Sequence, residues 1–260
     1  MITKEKLLTS ITNLTWNSLA YKMLSYGIKD YVDLIGVNYT FDPINDHVMT
    51  TNSSLFEPYK ALAMWLWYKK GDRRDKSICD VFEEYKHCID KEHKAFNSNY
   101  GYYAFACGGL DLCIDRLIEN SSTRQAMFCI NHNYAMSKGS IDKLCTNTIH
   151  FMICGYSGDL APTLEMIVQM RSSNFLTLLP YDAFMFTMFY GYVFRALAKH
   201  YSELISGKIR MQVASLHLYE EDIMNIKPAT KIPNRLIGDF VNDNNWMLQT
   251  EKNLLNSIRK

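Results

Sequence analysis

The sequence predicts an α+β fold in one domain, and three observations carry that expectation. Some segments space their apolar residues at helical intervals while others alternate or cluster as short strands, with no regular strand–helix–strand repeat. The chain has 260 residues, enough for one large core or at most two small ones. It holds only 6 prolines and 12 glycines, with no internal repeat or low-complexity stretch, so no long linker divides it. The expected domain is 1–260, with a motif-bearing core over about 30–225 and a C-terminal extension over about 226–260.

Taken in order, residues 5–35 space Leu and Tyr at three and four, which predicts a helix. Ser54-Leu55-Phe56-Glu57 fits a capping box with Pro58 in the first turn, so an apolar helix should run through Trp65 and Trp67 and stop near Gly71. Segment 110–119 reads as a short amphipathic helix. Segments 125–130, 148–154 and 164–170 are short, apolar or alternating, and separated by polar turns, as strands are. Segment 182–205 reads as a long helix buried nearly all round, and 211–219 as another strand. A helix is expected near 244–258.

Composition narrows the function classes. Lys plus Arg is 28 against 27 for Asp plus Glu, a balance that gives no electrostatic footprint for nucleic acid or an anionic membrane. Cysteines number seven, an odd count with no CxxC pair, which argues against a disulfide framework or a zinc ribbon and for free thiols in a reducing, cytoplasmic setting. The N-terminal decapeptide is polar, unlike a signal peptide, and the apolar stretch over 184–194 is too short for a membrane span. His87, Cys88 and His93 share a stretch but match no usual zinc spacing, and no metal is expected.

Four segments carry more information than periodicity. They are Ser122-Thr123-Arg124-Gln125-Ala126; Leu144-Cys145-Thr146-Asn147-Thr148-Ile149-His150-Phe151; Met170-Arg171-Ser172-Ser173-Asn174 running on to Leu179-Pro180-Tyr181-Asp182; and Ser215-Leu216-His217-Leu218-Tyr219. In this order and spacing the chain resembles the thymidylate synthase family, above all its phage-type branch of deoxycytidylate and deoxyuridylate hydroxymethylases. The resemblance is clear over about 120–222 and fainter over about 30–110, where Tyr100-Gly101 and Trp67-Tyr68 up to Gly71 are weaker landmarks. It implies a thymidylate-synthase-like α+β domain with a large mixed sheet flanked by helices, two sheets packed back to back in a homodimer with shared active sites. The implied reaction is one-carbon transfer from 5,10-methylenetetrahydrofolate to C5 of a pyrimidine nucleoside monophosphate. It implies the cytoplasm of a phage-infected host as setting, and neither nucleic acid nor membrane as partner.

The residue types suit that chemistry. C5 of a pyrimidine is a poor nucleophile until a thiolate adds at C6, and a cysteine both attacks and leaves well. Cys145 matches the family's nucleophile. Arg171 matches an arginine that holds the nucleotide phosphate near the sulfur, where a guanidinium also lowers a thiol pKa. Ser172 matches a hydroxyl donor to the same phosphate, and Arg124 an arginine lent by the other subunit. His217 and Tyr219 match residues that bind the sugar hydroxyl, and strand alternation puts both on one face. Asp182 matches the residue at the base edge. Cytosine offers an N3 acceptor and an N4 amino donor, which a carboxyl sharing one proton complements, so dCMP is expected before dUMP. Asp182 also opens a helix, where an acidic residue serves as a cap.

Other positions depart from the family pattern. Counting back from Gly71, the catalytic glutamate falls at Met64, which cannot relay a proton. Glu57 lies seven residues earlier on the same helix face, about 10 Å away by helical rise. Asn174 stands in place of the aspartate that contacts folate, alongside Tyr100 as the other candidate folate contact. Leu178 replaces a glycine that lets folate approach, and Ile44 a phosphate-binding arginine. Three readings stay open: a divergent hydroxymethylase or methylase with a relocated relay, an enzyme with a different group or donor, and a nucleotide-binding relative without turnover.

Overall fold

The computed structural model describes residues 31–43, 50–51, 56–90, 94–131, 141–155, 161–219, 222 and 229–230. The expected helices over 5–30 and 244–258, and the positions Ser54, Ile44 and His93, lie outside the described residues. The fold is mixed α+β, a five-stranded mixed sheet flanked by helices.

Strand β1 (Tyr31–Phe41) pairs antiparallel with β6 (Ile205–Tyr219), which runs parallel to β5 (Thr163–Asn174). Antiparallel β4 (Thr146–Cys154) and β3 (Met127–Cys129) complete the order β1-β6-β5-β4-β3. Two-residue strands β2 (Thr50–Thr51) and β7 (Ala229–Thr230) pair separately. Helices α1 (Pro58–Lys70), α2 (Gly109–Glu119) and α3 (Leu179–Ala198) supply the layer that packs on the sheet. Helix α3 links the parallel pair β5 and β6, as a parallel connection requires.

Several expectations are corrected. Residues 31–35 are strand, not helix: Val32 and Ile35 suit a pleat, and the segment gains a full antiparallel ladder with 215–219 of β6. The capping box is not the start of α1. Glu57 itself is the N-cap, in extended backbone, and Pro58 is the first helical residue; the Glu57 N–H donates to the Tyr181 hydroxyl at 3.0 Å. The helix does stop at Gly71, with φ at 61°. Helix α3 begins at Leu179, with Pro180 in its first turn, and ends at Ala198 rather than 205. Leu204 extends the apolar pattern because it is buried from a turn. Strands β5 and β6 are longer than expected at one end each.

Their extra length exposes a regularity. In β5 the buried side chains are Leu164, Met166, Val168 and Met170, then Ser173. In β6 they are Ile209, Met211 and Val213, then Leu216 and Leu218. Strand β4 buries Ile149, Phe151 and Ile153 but also Thr146, and β1 buries Tyr39 and Phe41 but leans Leu34 on the core. The inside–outside alternation therefore reverses in all four strands. The reversals share one level: Gly36 and Arg171 both fall where the ladders skip from Val213 to Ser215 of β6, and the β4–β5 register shifts between Thr146 and Thr148. A bulge adds local twist and re-aims the side chains beyond it. Below this bend the sheet is an apolar floor for the helices; above it the strand ends turn polar.

Close packing holds the helices over that upper end. Gly101 has no room for a side chain: a Cβ there would lie 1.8 Å from the Tyr68 carbonyl oxygen. This contact presses the segment carrying Tyr100 onto α1, and Tyr68 stacks on Phe189 of α3 with ring centroids 6.1 Å apart.

Candidate active site

Four strand ends meet above the bend: the start of β4, the ends of β5 and β6, and the start of β1. Crevices at the carboxyl ends of parallel strands are where open α/β sheets place ligands. Here β5 and β6 end side by side, with Asn174 opposite His217.

Cys145 and Arg171 are neighbours. The Arg171 backbone N–H donates to the Cys145 carbonyl at 2.8 Å. The guanidinium reaches back along the same segment, Nε donating to the Leu144 carbonyl at 2.7 Å and Nη2 to the Lys143 carbonyl at 3.1 Å. The half-buried sulfur of Cys145 lies 3.9 Å from the Lys143 carbonyl oxygen. Residues 97–100 hold the segment as well. The Ser98 N–H donates to Asp142 Oδ2 at 2.8 Å, Asn97 Nδ2 to the Asp142 carbonyl at 3.2 Å, and the Thr146 N–H to the Tyr100 hydroxyl at 3.3 Å.

Burial pushes the Cys145 thiol up to about 11, against the Arg171 guanidinium, which pulls it down; the Asp182 and Asp142 carboxyls add to the rise. The guanidinium thus acts in the expected direction, but burial outweighs it and the thiol is protonated at neutral pH in the ligand-free protein. A thiol in this setting is nucleophilic only once its proton is removed.

Ser172 Oγ and His217 Nδ1 lie 3.4 Å apart, bridging the ends of β5 and β6. Burial lowers the pKa of His217 and keeps its ring neutral at pH 7. His217 and Tyr219 do share a face, with ring centroids 5.2 Å apart and edge-to-face. Asp33 stands opposite His217 in β1 and accepts from Ser215 Oγ at 2.8 Å. Asp182 sits in the first turn of α3, its carboxyl accepting from Ser173 Oγ at 3.0 Å. It keeps some accessible surface, yet protein surrounds it closely enough that burial raises its pKa to about 7, partly offset by that hydrogen bond.

Other candidates stand differently. Arg124 is exposed ahead of β3 and is not gathered with the strand ends; its backbone bonds to His150 on the face of β4 turned from the helices. Asn174 is buried, and its amide serves the chain: Oδ1 accepts the N–H groups of Leu176 and Thr177 at 2.9 and 3.0 Å, while Nδ2 donates to Asp222 at 3.3 Å. Leu178 projects into solvent at 43% exposure, and Met64 is packed in the core. The Asn174 amide is thus committed to its own loop and to Asp222.

Sequence reasoning passed over two members of the cluster. Ser173 was legible only as part of a motif, although alternation separates it from Ser172 and turns it toward α3. Asp142 carried no signal beyond standing three residues ahead of Cys145. Half-buried Tyr85 also borders the cluster, its hydroxyl pushed up chiefly by burial and then by Asp142. Among the described residues no group of three or more His, Cys, Asp and Glu is placed to hold a metal ion, and no helix is long and apolar enough to cross a membrane. No family model matches the chain, and no curated protein matches it.

Proposed function

We propose that this protein binds a pyrimidine nucleoside monophosphate, dCMP before dUMP, and transfers a one-carbon unit to C5 with Cys145 as nucleophile, as a dCMP hydroxymethylase does. The observation that carries the reading is the backbone bond from Arg171 to Cys145, with the Arg171 guanidinium tethered to the two carbonyls just ahead of that cysteine. Ser172 and His217 extend that pair toward a phosphate and a sugar, and Asp182 supplies a carboxyl for the base edge.

The Cys145 thiol gives up its proton and its sulfur bonds C6 of the ring. The C5–C6 π pair moves onto C5, which bonds an incoming electrophile. C5 then loses its hydrogen as a proton, the double bond re-forms and the C–S bond breaks. Asp182 supports the first step for cytosine, because a proton shared with N3 makes C6 more electrophilic. With Asn174 and Leu178 as they are, methylenetetrahydrofolate is the donor by resemblance only, and no step is assigned to it. Methylation, which also draws a hydride from the folate, is the alternative outcome at C5.

A homodimer of the thymidylate synthase type belongs to the same reading. The sheet face turned from the helices is polar, with Thr148 Oγ1 bonded to Gln169 at 3.0 Å and Gln169 to Gln212 at 3.4 Å. Arg124 is exposed beside that face, and in this reading it is the residue lent to a partner. Sedimentation is expected to give twice the chain mass; a clean monomer removes Arg124 from the site.

A second reading, a nucleotide-binding protein without turnover, is favoured by Met64 lying buried where a relay glutamate is needed. Tritium release from C5-labelled dCMP and dUMP, with and without the folate, separates the two. Release that disappears in Cys145→Ala supports the transferase. Tight binding of either nucleotide with no release supports the second reading, and no binding at all rejects both.

A further inference from the structure

We infer that Ser173 is a specificity-determining residue: its hydroxyl fixes which oxygen of Asp182 carries the proton, and so gives that carboxyl the donor–acceptor order of a cytosine reader. The inference rests on the reading of Asp182 as the base-edge residue.

A carboxyl that must recognise cytosine has two distinct tasks. One oxygen donates to N3 and the other accepts from the N4 amino group, and an unsupported carboxyl exchanges these roles freely. Uracil reverses the demand at N3, offering an N–H there and a carbonyl at C4. A device that pins the proton to one oxygen therefore sets the base preference.

Ser173 is buried at 1% exposure, at the end of β5 beside Leu216 of β6. Its Oγ lies 3.0 Å from Asp182 Oδ2, and among the described residues that oxygen is the one side-chain partner it has. A hydroxyl carries a single hydrogen, and a buried one must place it on an acceptor. The hydrogen of Ser173 is thus directed at Oδ2, so Oδ2 stays an acceptor and the proton of the neutral acid goes to Oδ1. Oδ1 has no hydrogen-bond partner among the described residues, and no cation pairs with the carboxyl. The titratable groups near enough to feel its charge are Cys145 just ahead of β4, Tyr68 on α1, Tyr85 and Tyr100. All four are neutral at pH 7, so Ser173 supplies the asymmetry. Position on the sheet explains why Ser173 and not Ser172 does this: beyond the bend, successive residues of β5 face opposite ways, Ser172 toward His217 and Ser173 toward α3.

The test compares wild type, Ser173→Ala and Ser173→Thr by calorimetric binding of dCMP and dUMP between pH 5.5 and 9, with infrared titration of the Asp182 carboxyl in the ligand-free protein. Removing the donated bond is expected to cut the dCMP-over-dUMP preference by about tenfold, and to move the carboxyl midpoint and the alkaline fall in dCMP affinity up by about one pH unit. Threonine, which keeps the hydroxyl, restores both. Should the alanine variant not fold, Ser173→Cys, nearly isosteric with a weaker donor, is expected to shift both in the same direction. An alanine variant with wild-type preference and wild-type midpoint overturns the role of Ser173 while leaving Asp182 as the reader. A wild-type protein that binds neither nucleotide, or does not prefer dCMP, overturns the base-edge reading and this inference with it.

Discussion

The two ends of one sheet differ as much as two proteins. Below the bend, Met166, Val168, Ile209, Met211, Ile149 and Phe151 are fully buried and alternate strictly. Above it the same strands carry Cys145, Arg171, Ser172, Ser173, Ser215, His217 and Tyr219, and their hydrogen bonds join side chains to one another and to loop backbone. The lower end is held by apolar area, which has no preferred direction. The upper end is held by directed bonds between polar groups in a poorly solvated place, where titration and reactivity are adjustable. The bend permits both on one set of strands: it reverses the faces, so Ser172, Ser215 and His217, which strict alternation would have turned to the core, face the other way.

The largest expected contrast is between activity and stability. Cys145→Ala is expected to abolish C5 tritium release while leaving the urea midpoint near wild type. Phe151→Ala, six residues further on in β4, is expected to cost about 3–5 kcal/mol of folding stability through lost burial and the cavity left behind. Denaturant titration and the release assay on both variants check the pair. A Cys145→Ala protein that releases tritium breaks the division between the two ends.

A smaller contrast concerns pH. The folded-state pKa of Asp182, about 7, lies above its ordinary value near 3.8, so the folded protein holds a proton that the unfolded chain has released. That favours folding fully below about pH 4 and is lost as pH rises through about 7. Urea midpoints are therefore expected to fall between pH 4 and 7 in wild type. Asp182→Asn, which does not titrate, is expected to flatten that limb and to shift nucleotide affinity toward dUMP. A limb that persists in the variant places the titration elsewhere, and unchanged base discrimination removes Asp182 from the base edge.

How legible each end was in the sequence follows from the same bend. Period-two reading finds a strand as long as one face stays apolar, so 164–170 was recognised, and the reading stopped where Met170 gives way to Arg171 and the faces reverse. The polar continuation to Asn174 was left out of the strand, and so was the start of β6 around Gly207. Residues 31–35 were misread because Leu and Tyr spacing is weak beside the tertiary pairing with β6 that decides the matter. Of the candidate residues that the motifs name, Cys145, Arg171, Ser172, Asp182 and His217 lie near one another at the strand ends. What no motif conveyed was how each is held. The tether from Arg171 to the carbonyls of Lys143 and Leu144, and the commitment of Asn174 to its own loop, depend on backbone positions that a one-dimensional pattern does not carry. The protonated state of Cys145 escaped for a related reason: a nearby arginine is visible in sequence, but the depth of burial that outweighs it is not.

The smallest expected effect compares two buried tyrosine hydroxyls, one at each end. Below the bend, Tyr190 accepts from the Gly207 N–H at 2.9 Å, donates to the Leu164 carbonyl at 2.9 Å, and lies 3.1 Å from Ser206 Oγ. These bonds knit β5, β6 and α3 at the point where the β5–β6 register shifts. Above the bend, Tyr100 accepts a single, longer bond from the Thr146 N–H. Removing a hydroxyl leaves its buried partners unpaired, and the penalty grows with their number. Tyr190→Phe is accordingly expected to cost about 2–3 kcal/mol of stability and Tyr100→Phe about 1 kcal/mol. The order matters more than the values. The Tyr100 bond holds the residue next to Cys145, so its loss is expected to appear instead as faster amide exchange at Thr146 and altered alkylation of Cys145. Equal stability losses in the two variants mean that the reactive end is locked as firmly as the floor beneath it, and the contrast between adjustable and fixed halves of the sheet then fails.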